Sequence, residues 1–212
     1  MKRVQMILMT KSYKHGKYCV SGFDLNSREW IRLVSSKDHN NAINKWVVDN
    51  PPRKECLDII EVELLEHAPL TCQTENFLIN ERNEILKIDH IQIGDILNNK
   101  FLDEASYIFG NSSKSITEEE ALNLGYSLSF VLVQDFIVSC YYDDYYERWV
   151  NKCSFKYNGR RYVDISLTDP EYRREEYNGK LFEKVALVVS LPSEPYQGDG
   201  RFYKFVAKVF EV

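Results

Sequence analysis

Near the C-terminus, residues 185–192 and 201–212 form two runs rich in β-branched and aromatic side chains, separated by turn formers that include Pro195, Gly198 and Gly200. That arrangement reads as a closing strand pair. It brings Tyr196, Tyr203 and Lys204 close to a sheet edge, and rings beside a cation are a combination that holds flat, anionic ligands. The opening of the chain has the same character: residues 3–35 hold three β-rich runs separated by Lys14–Lys17 and Leu25–Glu29, a short meander. A chain that begins and ends in this way is mostly β, and its fold is set by how short strands close on one another.

The length, 212 residues, suffices for one large or two small domains with a buried core. At 44% hydrophobic and 28% charged residues the composition is ordinary for a globular protein. The net charge of -5 argues against a protein that coats nucleic acid through a broad basic excess, and leaves room for a local basic face. The apolar run after Met1–Arg3 stops at Lys11–Lys17 without a small-residue cleavage site, so it is expected to be a first strand and not a leader. No run approaches the roughly 20 apolar residues of a membrane span, and the expected location is cytoplasmic. Cys19, Cys56, Cys72, Cys140 and Cys153 are scattered and odd in number, which suits reduced thiols over disulfides or zinc.

Along the chain, residues 36–55 are polar and end in Asn50-Pro51-Pro52-Arg53, a surface excursion between strands. Residues 57–65 suggest a strand with Asp58, Glu61 and Glu63 toward water, while 84–90 has weak helical spacing. Between 96 and 125 the character turns helical, with Thr117 and Glu120 spaced as a capping box and Gly125 as a stop. Strands return at 126–141, 151–157, 161–167, 186–191 and 203–212, with Asn158-Gly159 the strongest hairpin signal. Asp169 before Pro170 suits the start of a short helix. Short strands with one inserted helix before the last pair suit a small, partly closed barrel, and the chain has room for two.

Several stretches together carry a family likeness: 21–25, 29–35, 57–62, 168–171, 189–196 and 203–207. In their order and spacing these resemble the bacterial dual OB-containing domain family from end to end. The resemblance implies a mainly β chain with minor α, built as two small OB-like β-barrels joined by a helical segment. The expected boundaries are a first barrel over 1–102 with a long polar insertion, a helical bridge over 103–125, and a second barrel with an inserted helix over 126–212. It further implies nucleic-acid binding and supplies no catalytic residues. The loop Gln197–Arg201 is longer than the short, glycine-linked loop expected of that family and carries Asp199, which opposes a phosphate contact by the loop itself.

Arg28, Trp30 and Arg32 alternate, so on a regular strand they share a face. Arg forks onto phosphate and Trp stacks on bases; the alternative is a core Trp30 and an Arg32 buried against an acid such as Asp24. Lys11, Lys14, His15 and Lys17 with Tyr13 and Tyr18 form a basic, aromatic loop, or simply a solvated turn. Lys156, Arg160 and Arg161 with Tyr157 and Tyr162 surround the Asn158-Gly159 turn, either as a binding hairpin or as a charged edge that resists aggregation. Arg173 and Arg174 are offset by Glu175 and Glu176. Residues 141–149 are dense in Tyr with Asp143 and Asp144, which suits a protein contact better than a Mg²⁺ site. His15, His39, His67 and His90 lack metal-ligand spacing, and no Walker loop, dinucleotide fingerprint or nucleophile elbow is present.

The sequence therefore points to a non-catalytic binding module, without cofactor or metal, for single-stranded nucleic acid or a nucleotide-type ligand. The candidate contacts are Lys11, Arg32, Arg160, Arg161, Tyr196, Tyr203 and Lys204. Tyr203 and Lys204 are neighbours and face opposite sides of a regular strand, so both can serve only if a bulge lies near Gly198–Arg201. The alternative is a protein-interaction module using the Tyr-rich acidic patch.

Overall fold

A computed structural model describes residues 2–14, 16–38, 41–144, 147–172 and 175–212. The chain divides into two compact units, Met1–Phe101 and Leu102–Val212. Each is an OB-type barrel with the same strand order.

In the first unit, β1 (Lys2–Lys14), β2 (Lys17–Asp24) and β3 (Trp30–Val34) form the expected meander. Helix α1 (Lys45–Asp49) follows, then β4 (Asp58–His67), β5 (Asn76–Ile79), β6 (Leu86–His90) and α2 (Ile93–Asn98). The sheet runs β1-β2-β3-β5-β4, and a β4–β1 pairing closes the ring, with β6 added along β4. The parallel pair β3–β5 is the one connection a hairpin cannot make. Alternate residues Val4, Met6 and Leu8 of β1 and Ile60, Val62 and Leu64 of β4 fill the interior. Gly22 lets β1 curl tightly over β2: a Cβ there would lie 1.9 Å from the Ile7 carbonyl oxygen.

Three local expectations are corrected. Residues 41–54 are not a surface excursion, since Ile43, Val47 and Val48 plug the core and Lys54 is buried. Asp58 is also buried, because it shares the parity of Ile60 and Val62; Lys87 and His90 reach it at 2.7 and 2.9 Å. Residues 86–90 form a strand where helical spacing was expected, pairing along β4.

The second unit contains β7 (Ser115–Ile116), α3 (Glu118–Leu124), β8 (Leu128–Asp143), β9 (Arg148–Tyr157) and β10 (Arg160–Leu167). It ends in β11 (Leu181–Ser190), β12 (Phe202–Tyr203) and β13 (Phe205–Glu211). The closed ring β10-β13-β11-β8-β9 repeats the first unit's order, again with one parallel pair, β10–β13. The α3 capping box is present, with Gly125 left-handed at φ 67°. Asn158 and Gly159 both have positive φ, as their hairpin requires. Where a short helix was expected after Asp169, Pro170–Tyr172 and Glu175–Tyr177 are 3-10 turns; Asp169 Oδ1 accepts the Glu171 N–H at 3.1 Å, while Oδ2 accepts the Val209 N–H and pairs with Lys208. Between 103 and 125, α3 is the single α-helix, accompanied by a 3-10 turn at Ile108–Gly110. Among the described residues no helix is long and apolar enough to cross a membrane.

Candidate nucleic-acid interface

Three of the seven residues named from the sequence are held inside the barrels. Lys11 donates to the Lys54 carbonyl at 2.9 Å and pairs with Glu55 at 3.0 Å, bracing β1 against the segment after α1. Arg32, 6% exposed, directs Nε and a terminal nitrogen onto Glu75 Oε1 at 3.2 and 3.0 Å. It is the buried-partner arrangement, with Glu75 in place of Asp24. Lys204, 1% exposed, donates to the carbonyls of Ile108 and Asn111 and to Asn111 Oδ1 at 2.6–2.9 Å. Burial lowers its pKa to about 7, while the oxygen cage favours the ammonium. The neighbouring Tyr203 faces out, so strand parity separates the two residues. Arg28 leaves the Trp30 and Arg32 face because it precedes β3 with φ 62° and lies over Phe101.

The remaining four belong to the second unit. Arg160 lies 4.0 Å over the Tyr107 ring and donates to the Ser106 and Asn158 carbonyls, which makes it a clamp on the hairpin. Arg161 is exposed, opposite Lys156 on the outer face. Tyr196 is 60% exposed and meets Tyr203 edge-on at 5.9 Å.

Those tyrosines sit on a self-braced loop between β11 and β12. The Tyr196 carbonyl accepts the Gly200 N–H at 2.8 Å, with Gly200 left-handed at φ 68°. The Tyr196 ring lies over Gly198, where an added Cβ would come within 2.5 Å of a ring carbon. Arg201 fastens the loop to β7 through Ser115 Oγ at 2.8 Å. Tyr203 donates its hydroxyl to Asp199 at 2.7 Å. That bond raises the pKa of Tyr203 and lowers that of Asp199.

Beside the loop lies the outer face of β9 and β10, where Lys152, Ser154 and Lys156 alternate outward. A bulge in β10 puts Asp164 at φ 59°, and its carboxylate meets Lys114 at 2.6 Å and Lys152 at 3.9 Å. The Asp164 hydrogen bond raises the Lys114 pKa. A second bulge, in β8, presents Asp135 at φ 52° to Lys156 at 2.7 Å. Tyr141, opposite Val150, extends this side with a ring about half exposed. The surface thus joins Tyr141, Tyr196 and Tyr203 with the cations Lys114, Lys152, Lys156, Arg161 and Arg201 and the acids Asp135, Asp164 and Asp199, with Asp143 at the parity of Tyr141 and Glu120 near Arg201. Strands two and three of an OB barrel with the loop before its last strand are a recognised surface for oligonucleotides and oligosaccharides.

Sequence reading missed Lys114 and Lys152, and placed Tyr141 in the Tyr-rich patch read as a protein contact. The alternation Lys152, Ser154, Lys156 was a usable signal for the second. Lys114 carried none, because it arrives through the β7–β12 pairing. Tyr142 and Trp149 pair across β8 and β9, edge-on at 5.7 Å and each about half exposed. His15, His39, Tyr145, Tyr146, Arg173 and Arg174 lie outside the described residues. Among the described residues no group of three or more His, Cys, Asp or Glu is placed to hold a metal, and no disulfide links the five cysteines.

Barrel order and surface together define a protein of two OB-type barrels. Residues 4–209 match the family model of the dual OB-containing domain, and the chain belongs to that family. No curated protein matches it. Among solved structures it is similar to a murine DNA-binding protein bound to double-stranded DNA, at 8% identity over the whole of both chains with a TM-score of 0.40. It is also similar to the Ifi202 HINa domain in complex with a 20-bp duplex, at 14% identity over 100% of this chain and 97% of that one, with a TM-score of 0.37.

Proposed function

We propose that this protein is a non-catalytic binding module for single-stranded nucleic acid or a nucleotide-type ligand, held on the outer face of β9 and β10 and the loop carrying Tyr196 and Tyr203. The observation that carries the reading is the exposed Tyr196 ring, seated on Gly198 and braced by Tyr203, beside a face that carries Lys152, Lys156 and Arg161. Stacking on Tyr196 holds a base while Arg161 neutralises phosphate; Asp164 holds back Lys114 and Lys152, and Asp135 holds back Lys156. Asp135 and Asp164 already offset part of the positive charge, so stacking supplies a large share of the affinity and the salt dependence is shallow. The test is a salt series with single-stranded DNA, single-stranded RNA and duplex. Binding that favours single strands and weakens with salt supports the reading.

A second reading, a protein-interaction module, draws on Tyr142 and Trp149, paired edge-on and about half exposed at one end of the β8–β9 ribbon near Asp143 and Asp144, with Tyr141 on the opposite face. Absence of nucleic-acid binding at low salt would favour it.

A further inference from the structure

A cavity of about 250 Å³ opens in the first unit, walled by Trp30 and Phe77, with Asp24, Glu29, Lys2 and His67 around it. Phe23 packs on Trp30 with centroids 4.0 Å apart, and within the lining His67 packs on Phe77 at 5.0 Å. Asp24 is 4% exposed, a depth at which a carboxylate normally has its lone pairs engaged. Its Oδ1 accepts the N–H groups of Asn26 and Ser27 at 2.7 and 3.3 Å. Its Oδ2 faces the Lys2 ammonium at 4.0 Å, beyond hydrogen-bond reach and on a side chain mostly in solvent, and accepts no hydrogen bond among the described residues. Glu29 is exposed at the rim and has no ion-pair partner among the described residues. The other acid of the lining, Glu66, is paired with Lys37 at 2.9 Å.

Aromatic walls, a buried carboxylate with unused acceptor capacity and an unpaired rim carboxylate reject a phosphate. A neutral ring can stack there but brings no charge to offset the two carboxylates. A flat cation meets every condition: it stacks on the indole, forks its N–H donors onto carboxylates and needs little room. Pockets for drug-sized ligands generally exceed this volume. We infer that this cavity takes the guanidinium of an arginine side chain presented by a protein partner. The proposal involves other residues than the nucleic-acid face and stands or falls separately from it.

The test titrates the full chain with N-acetyl-arginine methylamide and with its neutral isostere, the citrulline analogue, following the Trp30 indole N–H by NMR, assigned with Trp30→Phe. Saturable shifts are expected with arginine, and at least about tenfold weaker binding with citrulline. Glu29→Gln, whose side chain has no internal partner, should weaken arginine about tenfold with the circular dichroism spectrum unchanged, and Lys2→Ala should strengthen it by removing the competing ammonium. Equal binding of citrulline, indifference to Glu29→Gln, no shift with arginine, or tighter saturation of the same signals by adenosine monophosphate would each overturn the assignment.

Discussion

Replacing Asp164 by Asn should strengthen nucleic-acid binding, an unusual direction for a substitution within a binding face. Asp164 occupies a bulge at φ 59°, a left-handed conformation that Asn adopts readily, so the strand geometry survives. Its carboxylate holds Lys114 at 2.6 Å and lies 3.9 Å from Lys152. Neutralising it releases both cations toward phosphate. Each additional phosphate contact steepens log K against log salt by about 0.7 for a single strand. Two therefore add about 1.4, or roughly a sevenfold greater loss of affinity between 50 and 200 mM salt. Asp135→Asn, which frees Lys156 alone, should add about half that slope. Fluorescence anisotropy of a labelled oligonucleotide across the salt range reads both. If Asp164→Asn leaves the slope parallel to the parent's, or weakens binding at every salt while the fold is retained, the face is not where phosphate binds.

Tyr196→Ala should cost about 1–3 kcal/mol of binding with the salt slope unchanged, since a stacking ring carries no charge; a changed slope in the anisotropy series would contradict this role. Arg32→Ala strands the buried Glu75 carboxylate and should lower stability by about 3–5 kcal/mol in guanidinium denaturation; a change within about 0.5 kcal/mol would disprove the internal role. Burial holds the Lys204 ammonium at about 7 against the ordinary 10.5. Between those values the unfolded chain binds more protons than the folded one, so stability rises with pH through this window. Lys204→Met should flatten the rise measured between pH 7 and pH 9, and an unaltered slope would remove Lys204 as its source.

The candidate site was half legible before the fold was known. Tyr196 and Tyr203 stood out as rings in a turn-rich segment, and Arg161 as a cation beside a hairpin. Lys11, Arg32 and Lys204 were equally conspicuous, yet each turns inward. Their partners, Glu55, Glu75 and Asn111, lie 44, 43 and 93 residues away, and charge type alone does not distinguish an arginine that meets phosphate from one that meets a glutamate. The pairing of Tyr203 with Lys204 was decidable from parity, and parity held. The same rule read consistently would have buried Asp58 with Ile60 and Val62.

What the sequence by itself determined is the local structure: the alternating strands, the left-handed turn at Asn158-Gly159, the capping box at Thr117 and Glu120. Each depends on backbone preferences and hydrogen bonds between residues a few positions apart, so a short window contains its cause. Tertiary structure alone decided that β3 joins β5 and β10 joins β13 in parallel, that α1 plugs its barrel, and which acids quiet which lysines. Those outcomes are set when distant segments compete to bury apolar surface and satisfy polar groups, and that competition is resolved only when each barrel closes.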